Sequence, residues 1–214
     1  MTNKLFVFII SCQNYKDNWE NLMNTMAQLN IKAYYIICGN PNLETDYLLD
    51  DNILYIKCND YYEGLTEKVT KLYNYAVTSD YLKEYTHFLK VDDTNKFDPK
   101  IVFETLEESI VNDYEGYEIN KSNRLNRKYH FGRCHSPLLN VTYYKYKFVP
   151  WCYGSFYILS RKALLCFENI CNDEIKEEYY EDLYVARRLL KSGIHPHINM
   201  YLKYDKKASF IYCD

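Results

Sequence analysis

Short apolar runs alternate along this chain with stretches whose apolar residues recur at helical spacing, and no other feature limits its fold as much. Leu5 to Ser11 opens with Leu-Phe-Val-Phe-Ile-Ile, a β-branched and aromatic run that reads as a buried strand. Residues 17 to 29 follow with Trp19, Leu22, Met26 and Leu29 on one helical stripe. Ala33 to Cys38 predicts a second strand, stopped by Gly39-Asn40-Pro41, and Ile53 to Cys58 a third. Leu65 to Tyr81 predicts a helix with Leu65, Val69, Leu72 and Ala76 on one face. Thr86 to Val91 predicts a fourth strand that runs into Asp92-Asp93, and residues 99 to 111 have helical spacing. Tyr153 to Leu159 predicts another strand, with Ser160 as the N-cap of a short helix. Residues 176 to 192 predict a last helix, closed by Gly193. Strands alternating with helices imply an α/β sandwich on a largely parallel sheet, here one domain over residues 1–214. Ligands of such sheets bind beyond the carboxyl ends of the strands, where Asp92 and Asp93 stand.

Composition narrows the partners. Lys and Arg number 26 against 29 Asp and Glu, and they are mostly interleaved, so no basic face offers itself to nucleic acid. The one basic run, Lys121 to Lys128, reads as part of a polar loop. The eight cysteines form no CxxC pair, which argues against a zinc knuckle, and several sit in apolar runs as small hydrophobes. The apolar stretch Leu5 to Ile10 is too short to span a bilayer and no secretory signal precedes it, so a cytoplasmic, reduced protein is expected. The glycosylation sequons Asn140-Val-Thr142 and Asn120-Lys-Ser122 carry no weight without secretion. The 25 tyrosines fit an AT-rich coding bias; exposed rings also suit sugar binding, but the total does not show it.

Four segments carry candidate chemistry. In Phe88-Leu-Lys-Val-Asp-Asp-Thr-Asn95, two adjacent carboxylates repel each other unless something offsets them. A divalent cation with a diphosphate does so; a solvated turn at a strand end does so too. In Tyr179-Tyr-Glu-Asp-Leu-Tyr-Val185, Glu181 and Asp182 interrupt an apolar helical stretch. A carboxylate so placed suits a general base, or else faces away from the core with Arg187 and Arg188 as partners. In Asp60-Tyr-Tyr-Glu-Gly-Leu-Thr-Glu-Lys68, Asp60 precedes a helix whose first turns carry Thr66 and Lys68. Such a helix start either receives phosphate, with Lys68 as its counter-charge, or is simply capped. In Pro150-Trp-Cys-Tyr-Gly-Ser-Phe-Tyr-Ile-Leu-Ser160, Gly154 permits close backbone approach, and Trp151 and Tyr153 either stack on a sugar or belong to the core. The chain has no Walker A loop and no GxSxG, GxGxxG or HExxH motif.

In this order the four segments resemble the β-1,3-glycosyltransferase family that includes β-1,3-galactosyltransferases, N-acetylglucosaminyltransferases and fringe. Asp60, Tyr62, Leu65, Thr66 and Lys68 match that family's first segment; Lys90, Val91, Asp92 and Asp93 match its Lys-Val-Asp-Asp-Asp strand end. Cys152, Gly154, Tyr157 and Ser160 match its Tyr-Cys-x-Gly-x-x-Tyr-x-x-Ser strand, and Glu181, Asp182 and Tyr184 match Glu-Asp-Val-Tyr-x-Gly. The resemblance covers residues 5 to 200. It implies a GT-A fold, a Rossmann-like mixed sheet flanked by helices, with a UDP-sugar donor and inversion at the anomeric carbon. It also implies Mn²⁺ or Mg²⁺ at the acidic triplet, a downstream histidine, here His197, as a further metal ligand, and Asp182 as the base. Three positions depart from the family: Thr94 stands for the third aspartate, Gly64 for an asparagine and Ala186 for a glycine. The family's membrane anchor has no counterpart in the chain.

The expectation is therefore a metal-assisted transferase acting on a glycan or other hydroxyl acceptor. Asp60, Thr66, Lys68, Asp92, Asp93, Gly154 and Glu181 would contact the donor, Asp92, Asp93 and His197 the metal, and Asp182 would take the acceptor proton. Its rivals are a non-catalytic nucleotide- or sugar-binding module on the same fold, a metal-dependent phosphohydrolase, and a structural protein.

Overall fold

The computed structural model describes residues 3–94, 106–121, 126–170, 174–175 and 178–202. Asn95, residues 99–105 of the expected helix, residues 122–125 of the basic run, Cys171, residues 176 and 177, and Cys213 lie outside the described residues.

The strands are β1 (Leu5–Ile10), β2 (Tyr34–Gly39), β3 (Tyr47–Asp50), β4 (Ile53–Ile56), β5 (His87–Asp92), β6 (Tyr114–Gly116), β7 (Ile119–Asn120), β8 (Trp151–Cys152), β9 (Phe156–Ser160) and β10 (His197–Ile198). The helices are α1 (Trp19–Gln28), α2 (Leu65–Thr78), α3 (Arg161–Leu164) and α4 (Glu181–Lys191). One sheet runs in the order β10-β6-β9-β5-β1-β2-β4-β3, and β7 pairs with β8 apart from it. Its centre, β5-β1-β2-β4, is parallel. Strand β9 lies antiparallel between β5 and β6, and β3 closes the other edge antiparallel to β4. The sheet is therefore mixed rather than largely parallel, because β9 reaches β5 from the far side.

Strand alternation sends the side chains of β1 to two cores. Phe6, Phe8 and Ile10 pack with Val69, Leu72 and Tyr73 of α2 and Leu183, Val185 and Leu189 of α4. Leu5, Val7 and Ile9 pack on the opposite face with Trp19, Leu22 and Met26 of α1. Residues 106–109 are helical, and Leu106 packs on the α1 side. The short helix α3 is capped as the sequence implies, Ser160 Oγ accepting from the Ala163 amide at 3.1 Å. Gly193 takes a left-handed φ of 73° just past α4. Helix α4 begins at Glu181, later than its apolar spacing suggests.

At the carboxyl ends of β1 and β2 one ion pair ties three elements together. Lys68 of α2 lies 2.6 Å from Asp60 Oδ1 and donates to the Ser11 carbonyl at 2.8 Å. Asp60 also accepts from the amides of Gly39 and Gln13, each at 2.7 Å. A side chain at position 39 would place its Cβ 2.7 Å from Asp60 Oδ1, so the clamp requires glycine there. This placement corrects the expected phosphate role of Lys68: its ammonium is 3% exposed and its charge is already matched by Asp60. Removing one partner of a buried pair strands the other charge. Lys68→Ala should cost about 3 kcal/mol of stability, read as a lower denaturant midpoint. An unchanged midpoint would show that the clamp is dispensable.

Candidate active site

The carboxyl end of β5, the turn between β8 and β9, and the first turn of α4 converge on one cleft of about 350 Å³. That volume suits a small-molecule site. Asp92 closes β5, Gly154 sits in the turn, and Glu181 and Asp182 open the helix; all four line the cleft. Helix and turn approach closely at Gly154, where any side chain would be tight. A Cβ at position 154 would stand 3.3 Å from both Asp182 Cβ and Glu181 Oε2. The Gly154 amide instead donates to Asp182 Oδ2 at 3.2 Å.

Beneath these groups lies a buried charge. Lys90 sits mid-strand in β5 and is 1% exposed. Its ammonium pairs with Asp92 Oδ1 at 2.6 Å and Glu181 Oε2 at 3.4 Å, and donates to the Gly154 carbonyl. Burial opposes the ammonium, yet Asp92 and Glu181 outweigh it and hold Lys90 above its ordinary range. Glu181 also accepts from the Tyr157 hydroxyl, which meets the Tyr73 hydroxyl in turn. The result is one polar chain from α2 to the cleft floor, with every member satisfied.

The two acidic residues of α4 behave differently. Glu181 is buried, and burial pushes its carboxyl up to about 7 against the pull of Lys90. Asp182 is half-buried on the cleft wall, where Oδ1 accepts from the Leu183 amide at 2.8 Å. Burial raises its carboxyl, while the Leu183 amide, Lys90 and the Gly154 amide oppose the rise. The start of an 11-residue helix favours a negative charge at this point.

The geometry brings together Asp92, Gly154, Glu181 and Asp182, with Trp151 and Tyr153 beside them. Trp151 is also core, packed edge-on to Phe148, whereas Tyr153 is half-buried and stacks on Tyr117. Five expected site residues lie outside the cleft lining. Asp60 and Lys68 are spent on their clamp. The Thr66 hydroxyl is buried without a hydrogen-bond partner among the described residues. Asp93 accepts from Ser11 Oγ at 2.6 Å, and Ser11 accepts from Trp19 Nε1 at 2.9 Å, so Asp93 belongs to the α1 side. His197 lies on β10, three strands from β5, roughly 14 Å away at the usual strand spacing.

Among the described residues these placements do not assemble a site for Mn²⁺ or Mg²⁺. Neighbouring residues of an extended strand face opposite sides, and Asp92 and Asp93 do so here, one held by Lys90 and the other by Ser11. Thr94 supplies no carboxylate, and among the described residues no group of three His, Cys, Asp or Glu side chains is arranged to hold a metal ion. The cation beside Asp92 is the protein's own ammonium.

Several cleft residues carry no signal in the sequence that would single them out: Asn120 at the end of β7, and Asn126, Tyr129 and Arg133 from the segment between β7 and β8, all lie outside the four segments. Lys90 does carry one, a lone charge inside an otherwise apolar strand.

The Glu181 carboxyl is raised from 4.5 to about 7, so its protonated form stabilises the fold fully below about 4.5 and that stability is lost as pH rises through about 7. Glutamine at 181 keeps the shape and cannot titrate. Between about pH 5 and 8, wild-type stability should fall relative to Glu181→Gln, with a limiting slope of about 1.4 kcal/mol per pH unit. Denaturant melts of both proteins across that range check this; a wild type that gains on the variant would contradict it.

No curated protein matches the chain, but the family model described as Galactosyltransferase matches residues 14–200. That span takes in every strand of the sheet after β1, the cleft and all four sequence segments, and the mixed sheet flanked by helices fits the GT-A type. Among the described residues no helix is long and apolar enough to cross a membrane. The chain belongs to the galactosyltransferase family and is a glycosyltransferase.

Proposed function

We propose that the chain is an inverting transferase that moves a sugar from a UDP-sugar donor onto a hydroxyl of a glycan acceptor, with a β-1,3 linkage as its product. The observation that carries this reading is Asp182: a carboxylate on the cleft wall, fixed by two backbone amides and raised by burial. A base must be oriented and must have a pKa suited to taking a proton. The amides of Gly154 and Leu183 supply the orientation, and burial supplies the shift.

In this reading the acceptor hydroxyl approaches Asp182 and gives up its proton as its oxygen attacks the anomeric carbon. The bond from that carbon to the UDP oxygen breaks, and its electron pair leaves with UDP. Asp92 has one oxygen held by Lys90; the other accepts hydroxyls of the donor. Tyr153, backed by Tyr117, offers a ring face to a sugar. No step is routed through a metal ion.

A second reading, a nucleotide-binding module without turnover, draws on Thr94 and on the finding that, among the described residues, no group of three His, Cys, Asp or Glu side chains could hold a metal ion. A screen of UDP-sugars for released UDP, with and without Mn²⁺, separates the two. Turnover of one donor supports transfer; UDP binding without hydrolysis or transfer of any donor supports the module.

Asp182→Asn should lower kcat by roughly 10²–10⁴-fold while UDP binding, measured by calorimetry, stays near wild type. A variant with wild-type kcat would remove Asp182 from the role of base.

A further inference from the structure

The cleft presents three carboxylates, Asp92, Glu181 and Asp182, to a donor whose diphosphate is itself anionic. Like charges at close range in a partly dry site are costly. Some cation must face the phosphate oxygens, and the two lysines nearest in the fold are committed elsewhere. Lys68 lies 2.6 Å from Asp60 and Lys90 lies 2.6 Å from Asp92, and both are buried.

We propose that Arg133 receives the phosphate oxygens of the sugar donor, an assignment that rests on the reading of the chain as a nucleotide-sugar transferase. Arg133 is exposed and lines the cleft. Its guanidinium carbon lies 3.9 Å from the ring centre of Tyr129 and 5.9 Å from that of Tyr62, both cleft residues. Among the described residues no carboxylate pairs with it. A guanidinium stacked on a ring keeps its N–H edge open, and that edge matches the paired oxygens of a phosphate.

The segment around it is held in place. The amides of Gly132 and Cys134 both donate to Asn140 Oδ1, at 2.9 and 3.1 Å, and Asn140 Nδ2 donates back to the Cys134 carbonyl at 2.7 Å. The amides of His135 and Ser136 donate to the Glu63 carboxylate at 3.0 and 3.1 Å. His135 stacks on Tyr61 at 4.1 Å. Arg133 therefore stands on a backbone pinned on both sides and docked just ahead of α2. Tyr62, Arg133 and Asp182 all line this cleft, so guanidinium and base border the same space. A phosphate held at Arg133 has its negative charge matched by the guanidinium as the bond to the sugar breaks.

Calorimetry on the full chain tests this with UDP, uridine, inorganic pyrophosphate and glucuronate as probes, on wild type, Arg133→Ala, Arg133→Gln and Arg133→Lys. Arg133→Ala should weaken UDP and pyrophosphate roughly 10- to 100-fold and leave uridine unchanged. Lysine should restore part of the pyrophosphate affinity and less of the UDP affinity, since it lacks the planar fork. Thermal melts identify a variant that fails to fold, and Arg133→Gln, which keeps the length of the stem, then carries the comparison. UDP and pyrophosphate binding unchanged in folded alanine and glutamine variants would overturn the assignment. So would loss of glucuronate binding with pyrophosphate binding kept, which would hand Arg133 to an acidic acceptor. Pyrophosphate binding that depends on Arg133, in a wild type that binds no UDP, would support the anion site and sink the UDP reading instead.

Discussion

A lysine ammonium buried in the central sheet organises this site. Lys90 takes a position in β5 that strand alternation gives to the core, between Phe88 and Asp92 on the α2 and α4 side. A buried ammonium without partners is too costly to keep, so the surroundings are shaped to meet it. Asp92 comes from the same strand, Glu181 from the start of α4 and the Gly154 carbonyl from the turn before β9. The lysine therefore fixes where the helix meets the sheet, and the helix in turn delivers Asp182 to the cleft wall. Replacing Lys90 leaves Asp92 and Glu181 facing each other without their shared cation. Such a network specifies one arrangement of the three elements.

The same alternation separates two carboxylates that adjacency in sequence suggests are a pair. Asp92 turns toward Lys90 and the cleft, while Asp93 turns toward Ser11 and Trp19 under α1. Each has its own partner, so the repulsion between them, which still raises the Asp93 carboxyl alongside burial, is offset without a shared metal. With Thr94 next in line, the strand end holds one acid for the ligand and one for the fold.

Much of the fold was legible because its central strands are the most apolar runs of the chain. Leu5 to Ile10, Tyr34 to Gly39 and His87 to Asp92 fall within a residue or two of their expected limits, and α1 and α2 follow their stripes. Strands β3, β6, β7, β8 and β10 were not legible: they run to two to four residues, and pairing with a neighbour rather than apolar pattern makes them strands. That β9 enters antiparallel next to β5 is a matter of chain path that periodicity does not encode. Within the site, Glu181, Asp182 and Gly154 stood out as polar or flexible residues in apolar runs. Lys68 stood out as a cation at a helix start, yet such a lysine looks alike whether it meets a phosphate or an aspartate; only the position of Asp60 decides. Arg133 lies in a polar loop where nothing local marks it, and its place comes from the Asn140 and Glu63 contacts that fold the loop over the cleft.

The central claim is that sugar transfer takes place where α4 meets the β8–β9 turn, with Asp182 facing the reacting carbon. A crystal structure of the chain with an intact, slowly turned-over UDP-sugar tests this most directly. The account predicts the sugar in the cleft between Asp92 and Asp182, its anomeric carbon open to an acceptor held at Asp182, and its diphosphate against Arg133. A donor bound with its anomeric carbon out of reach of Asp182, or at another face of the sheet, would contradict it.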